Sequence, residues 1–268
     1  MTTILPFDPF AAGSTTVLVL LGLRVAGLVM VAPVFSAKPI PAMLRVGIVL
    51  LFTVLLQPAA RASAGASASL TFVTAISETM VGFAIGMGAA LIIGAADAAG
   101  ELIAIQVGLA GAALFDPLTE QQGPALGQFC SFFALTLMLS LGGHFVMLDA
   151  MASSTRVIPV GSALDLAGGA RALVAMGGQL FGLGLRFASP VIAVVLIANV
   201  SLAILGRAAP QLNILSVAFP IQIGVGLLAF STTLPAIAMF FNGWQGTYQS
   251  MLSHSLGALA HAPVPGVP

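Results

Sequence analysis

Charge is scarce in this chain. Only 6% of its 268 residues are Asp, Glu, Lys or Arg, eight acidic and eight basic, for a formal net charge of +0. A soluble domain carries roughly a quarter charged residues, so this one cannot cover a water-facing surface. With so few basic residues, no patch can neutralise a run of phosphates, which excludes nucleic-acid binding. Cysteine occurs once, at Cys130 in an apolar stretch, which excludes an internal disulfide. No Cys/His cluster marks a metal site, and Cys130 reads as a small buried hydrophobe. Catalytic signatures are missing too: there is no H-E-x-x-H, no G-x-S-x-G elbow and no P-loop. No cofactor is implied, and the chain does not read as an enzyme. His144, after Gly142-Gly143, reads as a hydrogen-bonding residue at a helix end.

What is abundant is apolar. Hydrophobic residues make up 59% of the sequence and the mean hydropathy is +1.12. Such a chain has lipid, or other hydrophobic helices, as its solvent. The stretch from Met1 to Gly13 has no basic residue and contains Asp8, unlike the positive start of a cleavable signal peptide. A spanning helix needs about 20 mostly apolar residues. Candidates run Ser14 to Phe35, Ala42 to Gln57 (stopping at Pro58), Leu70 to Leu114, Ala125 to Leu148, Ala172 to Leu205 and Ile214 to Phe241. The third is too long for one crossing, and Asp97, Gly100 and Glu101 suggest a break within it. The expectation is an all-α integral membrane protein with about six hydrophobic helical segments. From Asn242 onward the weakly polar tail reads as flexible. Basic residues fall in loops on both sides of any alternating topology, so the positive-inside rule gives no orientation.

Gly82, Gly86, Ala90, Gly94 and Ala98 recur every four residues, a stripe of small side chains along one helix face. Gly178 with Gly182, and Gly123 with Gly127, repeat the spacing. Such stripes let helix backbones approach closely in lipid. They serve either packing within the chain or an interface with other subunits. Arg24, Glu78, Asp97, Glu101, Arg186 and Arg207 lie in or beside apolar segments, where a charge is costly and needs a partner or water. Asp97 and Glu101 read as an acidic pair at a segment end, with a proton relay as the alternative. Arg24 and Arg186 each call for an acid on another helix or another subunit, and the sequence does not choose which. Gly108, Leu109, Ala110, Gly111, Ala112, Ala113, Leu114, Phe115 and Asp116 form a small, apolar run before Pro117. A residue preceding proline leaves the helical region, so a helix should end near Phe115. The residues alone fit an ordinary helix terminus or an apolar loop that closes a pore.

Several motifs in order resemble the FliR/SctT export-gate family of type III secretion. They are Arg24 with Ala32-Pro33-Val34-Phe35, then Pro39-Ile40-Pro41 and Arg45. Gly100-Glu101-Leu102-Ile103-Ala104-Ile105-Gln106-Val107-Gly108-Leu109 and Asp116-Pro117 follow, then Gly142-Gly143-His144 with Ser154 and Pro159. The most specific is Arg207-Ala208-Ala209-Pro210-Gln211-Leu212-Asn213-Ile214, followed by Phe219-Pro220. Gly206, Leu215, Ala218 and Gln222 depart from the family pattern; a lysine is usual at the last. The match covers nearly the whole chain and implies a single membrane domain over 1–268. The resemblance also implies helical hairpins in a hetero-oligomeric pore assembly in the bacterial cytoplasmic membrane, at the flagellar basal body. Implied partners are FliP, FliQ, FlhB and FlhA proteins, membrane lipid and unfolded exported flagellar proteins. By position, Gly108 to Asp116 matches the family's pore plug. Arg207, Pro210, Gln211 and Asn213 are expected to fix a turn needed for assembly. Three competing readings are a virulence-type gate subunit, a small secondary transporter using Asp97, Glu101 and Arg186, and an intramembrane enzyme, for which no catalytic constellation is recognisable.

Overall fold

The computed structural model describes residues 14–36, 40–63, 69–109, 125–162, 164–209, 211 and 214–260. Among them every regular element is a helix: α1 (Ser14–Val31), α2 (Pro33–Ser36), α3 (Ala42–Ser63), α4 (Phe72–Val107), α5 (Ala125–Ser140), α6 (Gly143–Val157), α7 (Leu166–Ala208), α8 (Ile214–Asn242) and α9 (Trp244–Ala260). Lipid offers the backbone no hydrogen bonds, so a spanning chain satisfies its own N–H and C=O groups within helices. α3, α4, α7 and α8 are each long and apolar enough to cross a membrane. α5 and α6, bent by 68° at their junction, count as a fifth span when taken as one. α1 is apolar but shorter. The protein is thus an all-α integral membrane protein.

Several helices pass through residues that the sequence suggested would stop them. α3 continues through Pro58 to Ser63. α4 is one continuous 36-residue helix, without the break expected at Asp97, Gly100 and Glu101. Gly100 is there for packing, not for a turn: a Cβ on it would stand 2.6 Å from the Leu126 carbonyl oxygen and 2.7 Å from the Gly127 Cα. Asp97 is half-buried and Glu101 exposed, so neither charge forces the backbone to open. α7 runs 43 residues through Arg186 and Pro190, and α8 runs through Pro220 and Pro235. Prolines are tolerated inside such helices because neighbouring groups satisfy the freed carbonyls. The span expected over Ala125 to Leu148 is instead broken. Gly142 at φ +76 takes the left-handed region, and α6 starts in a new direction. The tail was expected to be flexible but forms α9, with Trp244, Tyr248, Met251, Leu252, Leu256 and Leu259 buried.

The chain falls into two compact units. The first comprises Met1–Leu91, Gly142–Gly177 and Gln245–Pro268; the second comprises Ile92–Leu141 and Gly178–Trp244. In the first, α1 buries Val17, Leu20, Leu21, Val25, Leu28 and Val29 along one face at helical spacing. In the second, ring pairs contribute to the packing: Phe129 with Phe230 at 6.1 Å and Phe187 with Phe240 at 5.0 Å, both edge-to-face.

Candidate functional site: a buried ion pair and the root of the plug segment

In the first unit, Arg24 lies on the buried apolar face of α1 and is 0% exposed. A lone guanidinium there would be prohibitive, so its partners decide whether the fold exists. Its Nε donates to Glu78 Oε2 of α4 at 2.6 Å. Nη1 donates to Ser154 Oγ at 3.2 Å and to the Ile158 carbonyl at 3.1 Å, and Nη2 donates to the same carbonyl at 3.1 Å. The other oxygen of Glu78, Oε1, accepts the Gly161 N–H at 2.8 Å. Gly161 adopts φ +86, a left-handed conformation that presents this N–H and that few side chains permit. One ion pair therefore ties α1, α4, the end of α6 and the turn after it.

The small-residue stripe enters this site. A Cβ on Gly82 would overlap the Arg24 carbonyl oxygen, and one on Gly27 would overlap the Thr79 carbonyl oxygen. On Gly86 it would come within 2.9 Å of the Leu28 carbonyl oxygen. Gly82 and Gly86 thus serve a crossing inside the chain, where α1 and α4 touch backbone to backbone. Ala90 and Gly94 are half-buried, and Gly94 faces the Leu180 side chain. At Gly178 and Gly182 a Cβ would meet nothing within 4 Å among the described residues.

In the second unit, the segment matched to the plug begins where α4 ends. α4 stops at Val107, eight residues before the expected end at Phe115. Gly108 at φ +87 ends it in the left-handed conformation, its N–H bonded back to the Ile105 carbonyl at 3.1 Å. α8 holds this terminus. Gln222 Nε2 donates to the Gln106 carbonyl at 2.5 Å. Gly226 leaves room for the Val107 side chain, and the Phe219 ring stands 3.7 Å from where a Gly108 Cβ would be. Leu109 is exposed. Ala110, Gly111, Ala112, Ala113, Leu114, Phe115 and Asp116 lie outside the described residues.

Other sequence candidates fall elsewhere. Arg207 is exposed in the last turn of α7 and Gln211 is exposed in the turn that follows; Pro210 and Asn213 lie outside the described residues. Asp97 and Glu101 flank Gly127 of α5, whose lack of a side chain makes room for them. Arg186 is exposed on α7, and among the described residues no ion pair joins it to either acid. Cys130 is buried. The His144 ring packs against that of Phe145 at 4.0 Å with a tilt of 42°, and its Nδ1 is buried without a hydrogen-bond partner among the described residues. That differs from the helix-end hydrogen bond expected of it. Among the described residues no group of three or more His, Cys, Asp or Glu side chains could hold a metal.

Two features escaped the sequence reading. One is the hold of Gln222 on α4, for which a departure from the family pattern was the available signal. The other is Tyr248, whose hydroxyl donates to the Ile85 carbonyl at 3.0 Å; burial pushes this phenol well above the ordinary tyrosine range. The only Trp and the only Tyr of the chain stand four residues apart in α9. That spacing on one helical face was a sign of a docked tail.

Comparison with known proteins matches residues 15–246 to the family described as "Bacterial export proteins, family 1". The chain is 33% identical to the Flagellar biosynthetic protein FliR of Pectobacterium carotovorum subsp. carotovorum, over 81% of this chain and 84% of that protein. It is 29% identical to the protein of that name from Escherichia coli (strain K12), over 81% and 84%. For the one from Caulobacter vibrioides the identity is 30%, over 85% and 91%.

Proposed function

The chain belongs to the bacterial export proteins, family 1, the family of the flagellar biosynthetic protein FliR, and from that premise we propose that it builds the protein-conducting channel of the flagellar export gate together with FliP- and FliQ-type subunits. It is a membrane component of the flagellar export apparatus. The finer assignment places it in the cytoplasmic membrane at the basal body, working with FlhA- and FlhB-type proteins on unfolded flagellar cargo. We assign it no catalytic step. The observation that carries this reading is the family match over 15–246. A physical feature supports it: only 11% of the apolar stretch of α3 and 17% of that of α7 is buried within the chain. Surfaces that apolar need lipid or other subunits against them.

Gly108 to Asp116 is the proposed plug. An apolar loop can seal a channel against ions without strong binding, so a passing polypeptide can displace it. Arg207, Pro210, Gln211 and Asn213 are proposed to fix a turn required for assembly. Native mass spectrometry of the tagged chain, co-expressed with its neighbouring genes, tests the channel. The expected result is one large complex with two other hydrophobic proteins. A monomer or homodimer free of them defeats the proposal. Deleting Leu109 to Leu114 should make the membrane leaky to ions, and unchanged permeability removes the plug. Normal complex yield from Arg207→Ala with Gln211→Ala removes the assembly role.

A further inference from the structure

The last carbonyls of a helix have no donors within the helix, so something else must satisfy them. At the end of α4 the donor to the Gln106 carbonyl is a side chain from 116 residues away, the Gln222 amide at 2.5 Å. Gln222 does not act on a bare terminus. Phe219, Gln222 and Gly226 are spaced three and four apart, so they share one face of α8. That face meets three consecutive residues. The Phe219 ring lies beside Gly108, the Gln222 amide takes the Gln106 carbonyl, and Gly226 admits the Val107 side chain. Two of these contacts are matters of shape. Only the amide is directional, and its N–H meets the negative end of the α4 backbone dipole.

We propose that Gln222 is the positioning residue of the plug: its amide pins the last turn of α4, and a movement of α8 that breaks this one bond frees the root at Gly108 and Leu109. The inference rests on reading Gly108 to Asp116 as the plug. The pin itself is separable from that reading. The chemistry requires a donor at position 222, not a particular shape. Lysine keeps a donor, leucine removes it at similar volume, and glutamate presents a carboxylate to a carbonyl at a negative helix end.

The test uses the complex assembled in cells, with Cys130→Ala to leave this chain no other thiol and Val107→Cys, at a position 0% exposed in the last turn of α4, as reporter. A water-soluble maleimide then reads how often the root opens. Losing one directional bond is worth about 1 kcal/mol, so labelling should rise about five-fold in Gln222→Leu. It should rise further in Gln222→Glu and stay near the parent rate in Gln222→Lys. Equal labelling in Gln222→Leu and the parent overturns the pin, as does labelling in Gln222→Lys as fast as in Gln222→Leu. Should Gln222→Leu fail to assemble, assembly of Gln222→Lys at parental yield supports the donor requirement, and failure of both overturns it. Ion permeability is measured on the same cells, with the Leu109 to Leu114 deletion as reference. Faster labelling, with no leak even from the deletion, keeps the pin and removes the plug reading. A leaky deletion with unchanged Gln222→Leu labelling keeps the plug and removes the pin.

Discussion

The two compact units solve the same problem, close helix packing in an apolar chain, with glycine contacts in both and a buried ion pair in the first. The first buries a charge and gives each guanidinium nitrogen a partner: Arg24 meets Glu78, Ser154 and the Ile158 carbonyl, and Glu78 also takes the Gly161 N–H. The second holds Asp97 half-buried and Glu101 exposed, and packs through glycine and aromatic rings. A satisfied buried ion pair is directional. It permits one arrangement of α1, α4 and α6, and it penalises loss of either member heavily. Glycine contacts and ring edges are graded, and a shift of a few tenths of an ångström costs little. The first unit therefore has an ion-pair anchor that the second, where the proposed plug begins, lacks among the described residues.

Breaking the ion pair should have the largest effect. Arg24→Met leaves Glu78 buried and unpaired, and should destabilise the chain by about 3–5 kcal/mol. Chemical denaturation in detergent would show this, and Arg24→Met with Glu78→Met should recover a large part of the loss. An equal loss in the double variant would mean that the pair is not what unites these helices. Gly82→Ala comes next. Its methyl overlaps the Arg24 carbonyl oxygen, so α1 must move, at a cost of about 1–3 kcal/mol. The same change at Gly178, where the space is open, should be neutral or stabilise by up to about 1 kcal/mol through helix propensity. Comparing the two by thermal unfolding separates glycines the chain uses itself from those it leaves open.

Tyr248→Phe should cost about 1 kcal/mol by deleting the buried bond to the Ile85 carbonyl. The pH dependence has a definite sign. Burial raises the phenol of the folded state above its unfolded value, so folding favours the protonated form. That contribution is complete below the unfolded value of about 10 and falls as pH rises through the folded one. Unfolding measured from pH 8 to 11 should therefore show the parent losing stability above pH about 10 more steeply than Tyr248→Phe. Parallel curves would mean that Tyr248 is solvated.

Much of the fold was legible because lipid imposes a simple rule. Runs of apolar residues must be helices, so the cores of α1, α3, α4, α7 and α8 could be read directly. Their ends and interruptions could not. Gly100, Pro190 and Asp97 look like breaks in one dimension, yet the helices pass through them because neighbours accept or satisfy them. Gly142 looks unremarkable beside Gly143, yet there the chain turns. The family could be read from ordered motifs, but the end of α4 at Val107 could not, because Asp116-Pro117 pointed to a helix running to Phe115.

The sequence by itself determined that this chain is helical, belongs in a membrane and joins an export apparatus. Those facts follow from composition and from local motifs, which depend on no distant residue. Only the tertiary structure decided that Glu78 is the acid for Arg24, that Gly82 faces the backbone of α1, that the tail docks, and that Gln222 reaches the end of α4. Each is a meeting of residues far apart along the chain. A chain with several acids, many glycines and many amides offers too many such pairings, and packing in three dimensions selects among them.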